Sequence, residues 1–341
     1  MKNETLEQIA ASIVAPDKGI LAADESSPTI KKRFDSINAE STEENRRDYR
    51  EMLFKTNNIS RYVSGVILFH ETLYQNDSEG NPLVKILTDQ GIVPGIKVDK
   101  GAKPLAGHPN ETITEGLDGL RERLGEYSQA GAKFTKWRAV ISIANSIPSN
   151  YCVEANAHAL ARFASLSQEA GLVPIIEPEV LMDGTHTIDA CYRATESVLT
   201  EVYDQLARSK VDLKGTLLKP NMVLSGKSAE NRAAAKEVAQ ATVSCFKNTV
   251  PSAVPGIVFL SGGQSDNEAT VNLDAINRHA KDTGAPWELS FSYGRGLQAA
   301  PLNAWRGEKD NMTKAQNVFF QRALVTSAAR NGAYSPNMEA V

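Results

Sequence analysis

Apolar segments of six to nine residues recur along the chain, each running into a Gly, a Pro or a polar group. They are GILAAD (19–24), GVILFH (65–70), VPGIKV (93–98), FTKWRAVIS (134–142), VPIIEP (173–178), GTLLKP (215–220), GIVFLSGG (256–263) and WELSFSYG (287–294). Strands buried on both faces read as short, near-continuous apolar runs of this length. Between them the period changes to that of a helix. TESVLTEVYDQLAR (195–208) sets Val198, Val202 and Leu206 on one face. ALARFASLSQEAG (159–171) closes on Gly171, the residue expected just past a helix end. Ser265 and Glu268 have the spacing of a capping box. Eight strands alternating with helices predict parallel strands joined by crossovers. The count of eight predicts an α/β fold closed as a (β/α)8 TIM barrel rather than an open sheet. The first crossover, about 24–65, is long enough for two helices. No linker or low-complexity tract interrupts the chain. One domain is therefore expected over 1–334, with a short flexible tail over 335–341.

Composition removes several function classes. Hydrophobic residues are 41% and charged residues 23% of the 341, which is ordinary for a globular protein. Lys and Arg number 37 against 41 Asp and Glu, and no long basic block occurs, so nucleic acid is not an expected partner. No apolar run approaches about 18 residues, so no membrane span is expected. The start, MKNETLEQIA, lacks the features of a secretion signal. Cys152, Cys191 and Cys245 are odd in number and widely spaced, which reads as reduced thiols in a cytoplasmic protein. The five histidines form no HxxH or HExxH pair, so no metal site and no cofactor are assigned.

In a barrel of this type the active site lies at the C-terminal ends of the strands. Asp24, Lys97, Lys136, Arg138, Glu177, Glu179, Lys219, Ser261, Gly262, Gly263 and Arg295 all fall there. Lys136 and Arg138 are two apart and face the same way on a strand, as do Glu177 and Glu179, while Trp137 faces the helix layer. One charged residue at a strand end is ordinarily a solvated rim residue; charges at most of the ends are not. Lys219 follows two Leu in an apolar strand. Burial favours its neutral amine, which can attack a carbonyl to form a Schiff base; a structural ion pair with Glu177 or Glu179 is the plainer reading. Two carboxylates held close would push one toward the protonated form, making an acid able to donate near neutral pH; charge balance for Lys136 and Lys219 is the other reading, and both can hold together. FLSGGQS reads as a phosphate cradle or as a simple strand-to-helix turn, and Arg295 adds a planar charged fork beside it. A second basic group, with Lys31, Lys32, Arg33, Lys97, Lys100, Lys103 and Arg138, suits the far end of a doubly phosphorylated substrate, although a run such as KKR ordinarily reads as a solvated helix face. NRRDYR (45–50) reads as a surface or interface ion-pair helix.

The motifs GILAADES, ENRRDYREMLF, GVILFHETLYQ, GIKVDKG, AKFTKWRAV, IIEPEVLMDG, LLKPNMV, FLSGGQS and SFSYGRGLQAAPLNAW, in order from about residue 5 to 335, resemble the class I (Schiff-base) fructose-bisphosphate aldolases. The resemblance implies reversible, metal-independent cleavage of fructose 1,6-bisphosphate to dihydroxyacetone phosphate and glyceraldehyde 3-phosphate, in glycolysis and gluconeogenesis. It also implies a homotetramer. By motif, Lys219 is similar to the Schiff-base lysine, Glu177 to the acid/base of carbinolamine dehydration, and Glu179 to its support. Lys136 is similar to the cation beside the lysine, and Asp24 to the carboxylate that moves the hydroxyl proton. Ser261, Gly262, Gly263, Ser292, Gly294 and Arg295 resemble the site for the phosphate next to the ketone. Ser26, Thr29, Lys32, Arg33 and Lys97 resemble the other phosphate end, with Arg138 nearby and Arg46 contributing. Pro28 stands where the family usually has Gly. Family members usually continue into a mobile tail ending in Tyr, whereas this sequence closes on Glu339-Ala340-Val341, so slower protonation of the enamine is expected. A Schiff-base enzyme with one phosphate site, and a silent scaffold, are the competing readings; the second would need a lost nucleophile or acid.

Overall fold

Each of the eight apolar segments forms a strand, and the strands close on themselves. The computed structural model describes residues 4–339. The strands are β1 (Gly19–Ala23), β2 (Val63–Leu68), β3 (Val93–Lys97), β4 (Phe134–Ile141), β5 (Val173–Val180), β6 (Leu217–Leu218), β7 (Gly256–Phe259) and β8 (Glu288–Tyr293). All pair in parallel with their neighbours in sequence, and β8 pairs back onto β1, giving the closed (β/α)8 barrel. β6 is short because Pro220, just past Lys219, has no N–H to donate; the Lys219 N–H still reaches the Ile176 carbonyl at 2.8 Å. The first crossover holds two helices, Ser27–Asp35 and Glu43–Phe54. A small antiparallel hairpin, Ala102–Pro104 with Thr112–Thr114, follows β3 and was not foreseen from the periodicity.

Helix starts obey local chemistry. Thr5, Thr42, Ser149, Thr187 and Ser265 each accept a backbone N–H in the first turn of the helix they cap. The reciprocal half of the expected box at Ser265 is absent: the Glu268 carboxylate pairs with Arg232 instead. Gly171, past the helix Asn150–Glu169, has φ of 74°, a left-handed conformation that costs glycine nothing.

The core has two parts. The larger lies between strands and helices, where Trp137 is fully buried and stacks on Phe163 at 5.7 Å. The smaller fills the barrel's N-terminal end with Ile20, Ala22, Ile67, Phe134, Val173, Ile175, Leu217 and Val258, capped by Ile9 and Ile13 of the helix Leu6–Ile13. Phe134 takes the space a neighbour gives up: a Cβ on Gly95 would stand 2.1 Å from its ring.

Two sequence expectations need correction. NRRDYR is not a surface helix: Asp48, Tyr49 and Arg50 are buried, Tyr49 against Phe34 and Trp305. Its inward face carries the apolar residues Met52 and Leu53 as well, and Arg50 is held by the Glu25 carbonyl and Glu71. The segment from 335 is not a free tail over its described part. Pro336–Glu339 forms a 3-10 turn anchored by Arg322 to Glu339 at 2.7 Å and by Gln321 to the Met338 carbonyl at 2.8 Å. Ala340 and Val341 lie outside the described residues.

Candidate active site

Side chains two apart on a strand share a face, so the strands that bury apolar residues low in the barrel present chemistry one step higher. Lys136 and Arg138 on β4 continue the inward row begun by Phe134; Glu177 and Glu179 on β5 continue Val173 and Ile175. Strand register sets them side by side: Lys97 is opposite Lys136, and Arg138 is opposite Glu177. Lys219 follows β6, and Asp24 follows β1. All of these line one cleft of about 570 Å³ at the C-terminal end of the barrel.

Glu177 sits at the centre. Its carboxylate is 3.2 Å from Lys219 Nζ through one oxygen and 3.2 Å from Lys136 Nζ through the other. Lys136 also reaches Asp24 at 2.8 Å. Lys219, Lys136 and Glu177 are each at most 4% exposed. Burial works to raise the Glu177 and Asp24 carboxyls, but the Lys136 and Lys219 ammoniums outweigh it and hold both below their usual ranges. Burial likewise opposes the Lys136 charge, and Asp24, Glu177 and Asp99 overcome it, holding the ammonium above its ordinary value. This corrects the expected carboxylate dyad. Glu177 is held down rather than pushed up, because the two lysines face it, while Glu179 pairs with Arg138. Arg138 is held charged by that pairing against the cost of burial.

Around this centre the cleft carries seven basic and five acidic residues, an excess that suits an anionic substrate. Ser261, Gly262, Ser292, Gly294 and Arg295 line the cleft at the ends of β7 and β8. The Ser292 hydroxyl is buried without a hydrogen-bond partner. A Cβ on Gly262 would stand 2.7 Å from Glu179 Oε1 and displace that carboxylate. Ser26, Thr29, Lys32 and Arg33 line the cleft just past β1, and Lys97 at the end of β3; Arg33 comes close to Gly294, where a Cβ would stand 3.5 Å from its Nη2. Pro28 sits in the first turn of the helix Ser27–Asp35, where a missing N–H costs little, and Thr29 keeps its place with its hydroxyl 3.1 Å from that of Ser26. Two predicted residues stand apart. Arg46 is engaged by Glu71 and does not line the cleft, and Gly263 packs behind it against Met182. Of the wider basic group, Lys31, Lys100 and Lys103 do not line the cleft either; Lys31 points to solvent and pairs with Asp35.

Sequence reasoning missed Asp99 and Glu25. Asp99 lies 3.4 Å from Lys97 and 3.9 Å from Lys136 and accepts the Arg138 backbone N–H at 3.3 Å. Its spacing of two from Lys97 in GIKVDKG was the available signal. Glu25 pairs with Arg33 at 2.6 Å. Among the described residues, no group of three or more His, Cys, Asp or Glu is placed to hold a metal.

A buried amine on a carboxylate, beside a second cation and between two polar walls, is an arrangement for carbonyl chemistry on a doubly charged substrate. Comparison with known proteins gives the same direction. A family model described as fructose-bisphosphate aldolase class-I matches residues 5–341. A probable fructose-bisphosphate aldolase class 1 of Xanthomonas campestris is 53% identical over 97% of this chain and 99% of its own. Human fructose-bisphosphate aldolase C is 51% identical over 99% of this chain and 93% of its own. Among solved structures, the aldolase of Plasmodium falciparum, crystallised with TRAP and a small-molecule inhibitor, superposes with a TM-score of 0.94 at 48% identity, over 97% of this chain and 95% of that one. The chain belongs to the class I fructose-bisphosphate aldolase family.

Proposed function

We propose that the cleft cleaves fructose 1,6-bisphosphate reversibly to dihydroxyacetone phosphate and glyceraldehyde 3-phosphate through a Schiff base on Lys219. The contact of Lys219 with Glu177 at 3.2 Å carries the reading. The Lys219 ammonium passes a proton to Glu177, and the free amine adds to the C2 carbonyl of the open-chain sugar. Protonated Glu177 returns its proton to the carbinolamine hydroxyl, which leaves as water. The product is a cationic iminium, and Glu177, ionised again, faces a cation as it did before. Lys136 keeps the pocket positive while Lys219 is neutral. Asp24 then takes the C4 hydroxyl proton, the C3–C4 pair moves into the iminium, and glyceraldehyde 3-phosphate departs. Water protonates the enamine at C3 while Asp24 returns its proton to solvent, and a second water hydrolyses the iminium, which releases dihydroxyacetone phosphate and frees Lys219. The iminium is the electron sink, so the route needs no metal.

The two walls hold the two phosphates: Ser261, Gly262, Ser292, Gly294 and Arg295 the one next to the ketone; Ser26, Thr29, Lys32, Arg33 and Lys97 the other. Binding energy taken far from the breaking bond orients it. A cleavage assay tests the reading. Wild type should turn over fructose 1,6-bisphosphate after prolonged EDTA treatment; loss on chelation with recovery on Zn²⁺ would overturn it. We further propose a cytoplasmic homotetramer, supported by the family and by three unpaired buried cysteines. Light scattering should return about four chain masses.

A further inference from the structure

The helix Arg295–Trp305 carries Arg295 at its first turn, and one turn later Gln298, which is 1% exposed and lines no part of the cleft. The Gln298 side-chain amide donates twice: to the Ala22 carbonyl at 2.7 Å and to Glu25 Oε1 at 2.8 Å. Both partners are acceptors, so the amide nitrogen is the atom required there. Ala22 lies on β1, two residues before Asp24. Glu25 Oε1 also meets Arg33 Nη1 at 2.6 Å, and the Glu25 carbonyl takes Arg50 at 3.0 Å. Gly294 closes the circle, since a Cβ there would be 3.5 Å from Arg33 Nη2. One buried amide thus ties the element bearing Arg295 to the strand bearing Asp24 and to the carboxylate that aims Arg33.

We propose that Gln298 is a positioning residue that sets the distance between the two phosphate-binding walls by holding Glu25, and through it Arg33. Without its two N–H groups, Glu25 loses a fixed donor and the Ala22 carbonyl is left buried without one. Arg33 then follows a mobile carboxylate. The wall bearing Arg33 faces the phosphate remote from the ketone, so a substrate lacking that phosphate is insensitive to the change. The inference rests on the two-walled reading above, and the test separates the two: if wild type cleaves neither substrate, the reading of the cleft fails, not the role of Gln298.

The experiment compares fructose 1,6-bisphosphate with fructose 1-phosphate in wild type, Gln298→Met and Glu25→Gln. Gln298→Met should raise KM for the bisphosphate about tenfold while kcat and the KM for the monophosphate stay within about twofold. Glu25→Gln should shift the same ratio in the same direction. Equal KM changes on both substrates, or a fall in Tm and kcat with KM ratios intact, would overturn the proposal. If Gln298→Met does not fold, an unchanged ratio in Glu25→Gln alone does so.

Discussion

The two ends of the barrel are built from the same strands and do opposite work. At the N-terminal end the inward rows are Phe134 on β4, Val173 and Ile175 on β5, Leu217 on β6 and Ile20 and Ala22 on β1, sealed by the helix Leu6–Ile13. One strand period higher the same rows present Lys136, Glu177, Lys219 and Asp24. Two residues therefore separate the packed core from the chemistry. The lower end supplies a rigid, dry floor, and the upper end places mutually paired charges on it. Charges so deep persist because each has a partner; a lone buried charge would cost several kcal/mol.

The contrast can be broken from either side. At the upper end, Lys219→Ala should lower turnover by about four orders of magnitude or more and leave Tm nearly unchanged, as steady-state assays and thermal melting will show. Glu177→Gln should cost about 10²- to 10⁴-fold in kcat, the usual span for a positioned acid/base. At the lower end, Phe134→Ala should destabilise by about 3–5 kcal/mol in denaturant unfolding, while the folded fraction keeps kcat within a few-fold. A large kcat loss there would show that floor and chemistry are not separable. Across the cleft, Arg295→Ala should raise KM for both fructose 1-phosphate and the bisphosphate, and Lys97→Ala chiefly for the bisphosphate. A charge-assisted contact contributes roughly 1.5–3 kcal/mol, or about 10- to 150-fold. Equal effects on both substrates would refute the two-walled map.

The smallest expected effect concerns pH. Asp24 and Glu177 lie below their ordinary range in the folded protein. Their contribution to stability is complete above the unfolded carboxylate pKa of about 4 and is lost as pH falls through the depressed folded values. Asp24→Asn should therefore flatten the acid limb of Tm against pH without changing Tm's slope near neutrality. An unchanged acid limb would show that the pairing with Lys136 contributes nothing.

The barrel was legible because its strands are buried on both faces and read as unbroken apolar runs. Lys136, Glu177 and Lys219 were legible because charge at the end of such a run is costly and so conspicuous. The pairing was not. Strand period alone placed Glu177 and Glu179 on one face and suggested a dyad, but the neighbouring strands decide which cation each meets: Arg138 takes Glu179, and the lysines take Glu177. Asp99 was hidden beyond the last residue of β3, where alternation is no longer guaranteed. The tail from 335 looked free because it is short and polar, yet Arg322 on the preceding helix, Met312–Arg330, gives Glu339 a partner that the tail's own sequence does not reveal. Buried aromatic neighbours turned Tyr49 inward in a helix that reads as charged throughout.

The central claim is that Lys219 is the nucleophile. Borohydride reduction in the presence of dihydroxyacetone phosphate, followed by mass analysis of the peptides, tests it most directly. One reduced triose phosphate is predicted on the peptide containing LLKPNMV, at Lys219. An adduct on Lys136 or Lys97, or none at all on an active enzyme, would contradict it.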